Sequence, residues 1–319
     1  MKKLITLFTF FFFLLSFTIA QQSGIGITID KKPLWFGKSE GQYIKVQNPV
    51  SQFPPFCGKK LRQKGNSLSF PFGVGIQSMF MEQEFIASNL QLSNDMNDIT
   101  ATADTIYQNT VSGYKQLTTR LDVWLFSFLN IYGIVGYTRG QTSPDLTVPY
   151  ILVNIPGFEP IVIDTTFEIH DELKYQGPTY GGGATLSAGY KSFFFVLDYN
   201  YTVTVPNDVY SKIYTHSFSP KTGIFLGKIK SKLSGNLWLG AMYLSNNQDF
   251  SGQINVSEIA PGLEYFFGEA ATYSGNITAV NQWNMLIGAS IVLANHHYLT
   301  VETGFIGRKQ LMLMYNFRF

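Results

Sequence analysis

The chain has 319 residues, with 23 Lys and Arg against 21 Asp and Glu, and this near balance of charge argues against a nucleic-acid partner. Charged residues make up only 14% and aromatic residues 16%, which excludes an ordinary soluble domain with about 25% charged residues. The single cysteine, Cys57, excludes an intrachain disulfide.

The first twenty residues have the order of a secretory signal peptide. Lys2 and Lys3 precede an apolar run from Leu4 to Ile19, and small residues frame a cleavage point after Ala20. A membrane-anchoring helix is the alternative, but about sixteen apolar residues are short for a bilayer span. Residues 1–20 are therefore predicted to be a signal peptide that is removed when the chain is exported.

Residues 21–68 show little regular alternation of apolar and polar side chains. They include the Pro-rich and basic stretch "QNPVSQFPPFCGKKLRQKGN". Three interpretations remain open for this segment: a periplasmic N-terminal segment, a plug in the lumen of a barrel, or a disordered leader.

Residues 69–319 contain ten segments with apolar side chains at every second position, which is the period of a β-strand. Their length suits strands that cross a bilayer at a tilt. The ten predicted strands are 70–80, 114–125, 129–138, 181–190, 193–205, 221–231, 235–244, 281–293, 297–306 and 309–319.

The connections between these segments alternate in length. Those near Ser127, Lys191, Leu233 and Asn295 are short, whereas those at about 86–112, 140–178, 205–216 and 247–280 are long and polar. This is the pattern of an outer-membrane barrel, with short turns on the periplasmic rim and long loops on the other. The stretch 140–178 contains "PYILVN" and "IVIDTTFEIH", so a barrel of twelve strands is an alternative to ten.

Alternation alone does not distinguish a membrane barrel from a soluble, apolar β-sandwich. Aromatic residues near the strand ends are typical of the girdles of membrane barrels. The predicted girdle residues are Tyr137, Tyr190, Tyr243, Trp283, Tyr298 and Phe319. Together with the loop pattern, they favour an all-β, antiparallel transmembrane β-barrel.

The terminal stretch "LMLMYNFRF" resembles the carboxy-terminal signal of bacterial outer-membrane β-barrels, with apolar residues at alternate positions back from Phe319. The resemblance implies location in the outer membrane and recognition by the barrel-assembly machinery through Leu313, Tyr315, Phe317 and Phe319. The stretch "RLDVWLFSFLNIYGIVGYTRG", residues 120–140, is similar to uncharacterised outer-membrane proteins, and that likeness implies no activity.

Several polar side chains share the strand face opposite the apolar one. A charge facing lipid at the bilayer midplane costs about 2–4 kcal/mol for Arg or Lys, so these side chains are predicted to point into the lumen. There they would either fill and stiffen the barrel or form a narrow polar path or binding cleft. The residues of this predicted lumen network are Arg120, Asp122, Asp198, Asn200, Glu302 and Arg318.

The sequence gives little indication of catalysis. His170 and His216 fall in or beside long loops, and the dyad of His216 with Ser217 or Ser219 is weak because adjacent residues of a strand point to opposite faces. No catalytic residue, metal site or cofactor is predicted. The expected function is ligand passage, ligand binding or surface interaction, with outer-membrane lipid and an unidentified small molecule as partners. A lipid-modifying enzyme and a purely structural barrel are the alternatives.

Overall fold

The computed structural model describes residues 21–22, 25–26, 55–56, 69–94, 97–103, 107–108, 110–143, 146–164, 166–169, 173–190, 192–207, 211–230, 233–256 and 264–319. The predicted signal peptide, most of the predicted segment 21–68, and His170 lie outside these residues.

Ten long strands form a closed antiparallel barrel. Each strand pairs with the next along the chain, and the tenth pairs with the first, so the ring has no free edge. The strands are β1 (Phe72–Asn94), β2 (Thr110–Phe126), β3 (Leu129–Ser143), β4 (Leu173–Tyr190), β5 (Phe193–Thr204), β6 (Ile213–Lys230), β7 (Leu233–Asn255), β8 (Trp283–Leu293), β9 (His297–Gly304) and β10 (Lys309–Arg318).

The predicted number of ten strands is confirmed, and the alternative of twelve is wrong. Within the two stretches that suggested extra strands, the structure has only short strands, Ile151–Asn154, Ile161–Ile163 and Phe167–Ile169, and the last belongs to a separate small sheet. The first two lie next to the barrel sheet. They pair with each other, and the first also pairs with the strand Asn97–Ala103, which is itself attached to the far end of β1. They therefore extend the sheet beyond one rim and do not join the ring.

The alternation in each strand separates an apolar outer surface from a more polar interior. In β10, Leu311, Leu313 and Tyr315 are exposed on the outside, whereas Asn316 and Arg318 are buried inside. Equivalent outward residues on the other strands complete a continuous outer apolar belt. It includes Phe72, Val74, Ile76, Phe80, Leu117, Leu121, Val135, Leu186, Phe193, Phe195, Leu237, Leu239, Ile287, Ile291, Leu299 and Val301.

The two rims of the barrel differ. On the short-turn rim β2 connects to β3, and β8 to β9, through a few residues each. Phe72 and Phe319 meet on this rim and exchange two backbone hydrogen bonds, at 3.2 and 3.0 Å. The long-loop rim carries the longer connections and the tight turn 305–308, where an exposed ion pair joins Lys309 to Glu82 at 2.8 Å.

The sheet continues past the long-loop rim as a second layer of structure, here called the loop-side extension. β1 and β7 have 23 residues each, and beyond the ends of β8–β10 they are bridged by the strand Ala270–Ala279, which pairs with both. The predicted connections at 86–112 and 247–280 are therefore largely strand, not loop. A short helix, Glu264–Phe267, packs nearby.

The interior of the loop-side extension is apolar. Its buried residues form one cluster, here called the loop-side core: Phe85, Leu90, Leu92, Ala101, Ile151, Val153, Val256, Phe267, Ala271, Ile277 and Ala279. Asn89, with φ of 55°, lies where the pairing of β1 with Ala270–Ala279 shifts register. This irregularity moves the buried face of β1 from Phe85 and Ala87 to Leu90 and Leu92.

The remaining described elements are small. The strands Tyr107–Gln108, Leu146–Val148 and Phe167–Ile169 form a three-stranded sheet, and Gln21–Gln22 pairs with Ile25–Gly26. On the short-turn rim the backbone N–H of Phe56 donates to the carbonyl of Leu125 at 2.7 Å, and its ring packs against Phe126. Within the described ranges, no helix has the length and hydropathy to cross a membrane.

Candidate functional site: the barrel lumen

The lumen of the barrel holds a cavity of about 220 Å³. Side chains from β1 to β7, β9 and β10 line it, so the cavity is a property of the whole ring. Its charged residues are three acids and three bases: Arg120, Asp122, Asp198, Lys221, Glu302 and Arg318. The formal charges of these six side chains sum to zero, and each charged group has identifiable contacts.

The buried carboxylate of Asp122 on β2 joins three strands. It is ion-paired with the guanidinium of Arg318 on β10. It also accepts hydrogen bonds from Asn130 Nδ2 at 2.7 Å and from Asn316 Nδ2 at 3.1 Å. The amide oxygen of Asn130 in turn accepts from Arg120 at 2.9 Å. A buried carboxylate is tolerated only when it is paired and hydrogen-bonded in this way.

Asp198 on β5 is the centre of a second set of contacts. Its carboxylate accepts hydrogen bonds from Tyr132 Oη at 2.8 Å and Thr185 Oγ1 at 2.5 Å, and a longer one from Asn200 Nδ2 at 3.5 Å. The guanidinium of Arg120 lies 3.5 Å from the centre of the Tyr132 ring, a cation–π contact. The Asp122 and Asp198 contacts are thus one continuous network from β10 to β5.

Glu302 on β9 forms a separate cluster on the other side of the lumen. Its side chain is fully buried, and Oε2 accepts hydrogen bonds from Lys221 Nζ at 2.5 Å and Trp238 Nε1 at 2.8 Å. The indole of Trp238 lies over Gly288, where a Cβ atom would overlap the ring. Glycine at that position of β8 is therefore required for the indole to reach Glu302.

Methionines add apolar surface to the cavity. Met79 on β1 and Met312 on β10 are direct cross-strand partners, and Met314 and Met242 also line the cavity. The hydroxyl of Tyr114 points to Met79 Sδ at 3.5 Å. Methionine side chains are flexible and polarizable, so these parts of the lining can adapt to the shape of a bound molecule.

A row of threonine hydroxyls crosses three strands on the long-loop side of the cavity. Thr179 Oγ1 on β4 lies 2.6 Å from Thr138 Oγ1 and 2.8 Å from Thr204 Oγ1, and Gln116 Nε2 donates to Thr138 at 3.0 Å. These short side chains satisfy one another and leave the space in front of them free.

Aromatic rings and Arg318 fill the short-turn end of the lumen. The guanidinium carbon of Arg318 lies 5.7 Å from the centre of the Trp124 ring and 6.0 Å from that of Tyr298. The hydroxyl of Tyr298 is 3.0 Å from Ser69 Oγ, just before β1. The prediction that Tyr298 belongs to an outer aromatic girdle is wrong: its side chain is buried and points inward.

Arg308, in the turn 305–308, points inward at the opposite end. Its guanidinium donates to the carbonyls of Met242 at 3.1 Å and Gln282 at 3.3 Å. Burial lowers the pKa of Arg308 to about 10, so the residue is still charged at neutral pH. Asn284 stabilises the same turn, because its amide oxygen accepts from the backbone N–H groups of Ile306 and Gly307 at 3.0 Å each.

No protein-family model and no curated protein matches the chain. Similar solved structures are bacterial outer-membrane barrels. The outer membrane protein OprG from Pseudomonas aeruginosa is 9% identical with a TM-score of 0.37, over 79% of this chain and 97% of that one. The beta domain of the Bordetella autotransporter BrkA is 10% identical with a TM-score of 0.37, over 77% and 99%.

A third similar structure is the COG4313 outer membrane channel from Pseudomonas putida F1, which is 11% identical with a TM-score of 0.32, over 79% of this chain and 97% of that one. At such identities and scores the likeness does not extend to ligand or activity. What the lumen does must be inferred from its own residues.

The structure places all six predicted lumen residues on the cavity wall: Arg120, Asp122, Asp198, Asn200, Glu302 and Arg318. It divides them, however, because the hydrogen bonds and ion pair that Glu302 makes with described residues go to Lys221 and Trp238 and not to the Asp122–Asp198 network. Sequence reasoning missed Lys221, Asn130, Tyr132 and Trp238. Strand parity could have found Trp238, which alternates with the outward Leu237 and Leu239.

The histidines in the described structure do not form a catalytic or metal site. The imidazole of His216 is exposed on the outer face with Nδ1 2.9 Å from Tyr199 Oη, whereas Ser217 and Ser219 are buried on the inner face. His296 and His297 flank a turn and contact different partners, the carbonyl of Arg318 and the hydroxyl of Tyr315. Across the described ranges, no three His, Cys, Asp or Glu side chains are grouped to hold a metal ion.

Proposed function

We propose that this chain is a bacterial outer-membrane barrel that binds a small amphipathic molecule in its lumen and lets it pass only through a constricted path. The observation that carries the proposal is the mixed lining of the cavity. The charged groups of Asp122, Asp198 and Glu302 share it with apolar side chains that include Met79, Met312 and the indole of Trp238.

The outer apolar belt supports the membrane location. On β1 it extends over nine residues, from Phe72 to Phe80, and the next outward side chains are Glu82 and Glu84. A strand of about 9–11 residues spans the hydrocarbon layer when it is tilted. Of the belt positions whose side chains are described, none carries Asp, Glu, Lys or Arg, as expected where such a charge would face lipid.

The outward face of β10 supports assembly of the chain through the carboxy-terminal signal predicted above. Leu313, Tyr315, Phe317 and Phe319 form one exposed outward row on β10, accessible to a protein that recognises this strand. With residues 1–20 as the export signal, the short-turn rim would face the periplasm and the loop-side extension the cell exterior.

The cavity supports binding of a molecule with both polar and apolar parts. Ligand sites are concave, largely apolar, and contain a few fixed polar groups that orient the ligand. In this lumen the polar groups are held by ion pairs and short hydrogen bonds, so a ligand would meet fixed polar groups with adaptable methionine side chains between them.

Constriction follows from the ends of the cavity. Arg318, Trp124 and Tyr298 fill the short-turn end, and the loop-side core lies beyond the other rim. A barrel of about eight strands is filled by side chains, and a wide aqueous channel needs about sixteen. We therefore propose that a ligand must bind in the lumen of this ten-strand barrel before it is released, and that the barrel is not an open pore.

Binding can be tested with Trp238 as a reporter. Purified mature barrel in a neutral detergent would be titrated with short-chain amines, fatty acids and amides, and tryptophan emission would be recorded. Thr202→Phe, which narrows the cavity without adding a tryptophan, should abolish saturable changes, whereas Tyr201→Phe on the outer face should not. Saturable binding that survives Thr202→Phe, or large steady conductance of the wild type in planar bilayers, would contradict the proposal.

A further inference from the structure

Two cations lie side by side on the outer surface, just beyond the apolar belt. Lys115 on β2 and Arg139 on β3 are direct cross-strand partners, and both side chains are exposed. Like charges directly opposite one another in a sheet are destabilising. A negatively charged group bound between Lys115 and Arg139 would therefore stabilise the sheet.

No described carboxylate is ion-paired with Lys115 or Arg139. Lys309 on the same rim, by contrast, is paired with Glu82 at 2.8 Å. The residue opposite Lys115 on β1 is Phe80, and the residue opposite Arg139 on β4 is Gln176. The direct neighbours of the pair are thus an apolar ring and an amide, and Glu82, two residues along β1 from Phe80, is held by Lys309.

The depth of the pair is fixed by its neighbours. Two residues closer to the centre of the belt, Leu117 and Tyr137 are also direct partners and are exposed on the outside. Aromatic residues at the edge of an apolar belt lie at the level of lipid headgroups. Lys115 and Arg139 are therefore at the height where the phosphate of a surrounding lipid would be.

We propose that Lys115 and Arg139 form a binding site for the phosphate of an anionic membrane lipid on the long-loop side of the barrel. Arg presents paired donors that match a phosphate, and Lys adds a mobile charge. Tyr137 and Phe80 would contact the first carbons of the lipid. This site rests on the proposed membrane location, and it is separate from the lumen.

The test compares variants that each lose one positive charge and therefore have the same net charge. Wild type, Lys115→Gln, Arg139→Gln and Lys309→Gln would first be reconstituted in phosphatidylcholine vesicles and floated on a density gradient. Failure of wild type to float would overturn the membrane location and this site together. Floating proteins would then be extracted in neutral detergent, titrated with phosphatidic acid, and the bound lipid counted by native mass spectrometry.

The expected result is about a tenfold weaker affinity for phosphatidic acid in Lys115→Gln and Arg139→Gln, as for the loss of one charge-assisted hydrogen bond. Lys309→Gln should change the affinity less than twofold, because that cation is already paired. An equal loss in all three variants, or no loss in any, would overturn the site while leaving the membrane location intact. Equal competition by millimolar inorganic phosphate would show a free-anion site and would also overturn the lipid assignment.

Discussion

The lumen and the loop-side extension have opposite organisation. In the ring the outer surface is apolar, and the interior contains paired charges such as Asp122 with Arg318 and Lys221 with Glu302. In the extension the interior is the apolar loop-side core, and residues such as Asn89 and Gln91 face outward. The two parts of one sheet are therefore suited to different surroundings, which we propose to be lipid for the ring and water for the extension.

β1 shows this change within a single strand. From Phe72 to Phe80 its outward side chains are mainly apolar and the next two, Glu82 and Glu84, are charged, while its inward residues change from Gly73 and Gln77 to Phe85 and Leu90. The strand alternates throughout, so the period of two does not by itself reveal which face is buried. The chemistry of both faces has to be compared along the strand.

The largest effect is expected from breaking a buried ion pair in the lumen. Asp122→Ala would leave the guanidinium of Arg318 buried without its partner, which typically costs about 3–5 kcal/mol. The free energy of unfolding, from urea titration of the barrel folded in vesicles, should fall by that amount. The double variant Asp122→Ala/Arg318→Met should recover a large part of the lost free energy of unfolding. A double variant as unstable as Asp122→Ala alone would contradict the pairing.

A comparable effect is expected in the loop-side core, but confined to the extension. Phe267 is fully buried there, and Phe267→Ala should cost about 3–4 kcal/mol through a cavity. Limited proteolysis should then cut residues 256–280 faster, while the heat-dependent gel shift of the ring is retained. Tyr265→Ala, at a side chain that is 92% exposed, is the matched control. Loss of the ring as well would show that the two regions do not unfold separately.

A charged substitution on the outer surface of the ring should destabilise the protein more than one on the outer surface of the extension. Leu239 lies in the belt and is 57% exposed, and Leu239→Arg should destabilise the barrel in vesicles by about 2–4 kcal/mol. Gln91→Arg, outward on the extension, should change stability by less than about 0.5 kcal/mol. Equal effects of the two substitutions would refute the contrast between lipid and water.

The smallest effect is expected in the threonine row. Thr179→Val removes the hydroxyl that contacts Thr138 and Thr204, and should cost about 1 kcal/mol. Thr119→Val, at a half-buried outward position of β2, is the control and should be nearly neutral. Thermal unfolding followed by tryptophan emission would separate the two variants.

The ring was predictable from the sequence because each of its strands repeats one contrast, apolar outside and polar inside. The extension was not, because beyond Glu82 the contrast reverses and the irregularity at Asn89 shifts the buried positions by one. The same reversal made residues 86–112 look like a loop. The girdle assignment of Tyr298 was wrong because it did not follow strand parity: Tyr298 shares the inward face of Glu302, and its hydroxyl has a partner inside the lumen.

Predicting the lumen contacts required knowing which strands are opposite one another. Asp122 and Arg318 lie on strands that are far apart in the sequence, and Lys221 meets Glu302 across β7 and β8. Polarity placed Glu302 in the lumen, but nothing local in the sequence indicated its partner.

The pairing of β1 with β10 has a consequence for how the molecule forms. Arg318 donates to the carbonyl of Phe70, 248 positions earlier, and every other contact across that seam is about as remote. Contacts of such separation form slowly, because the intervening chain must be ordered first. Until they form, β1 and β10 present unpaired edges that can recruit strands of other chains. The interval before ring closure is therefore when this protein is most exposed to aggregation.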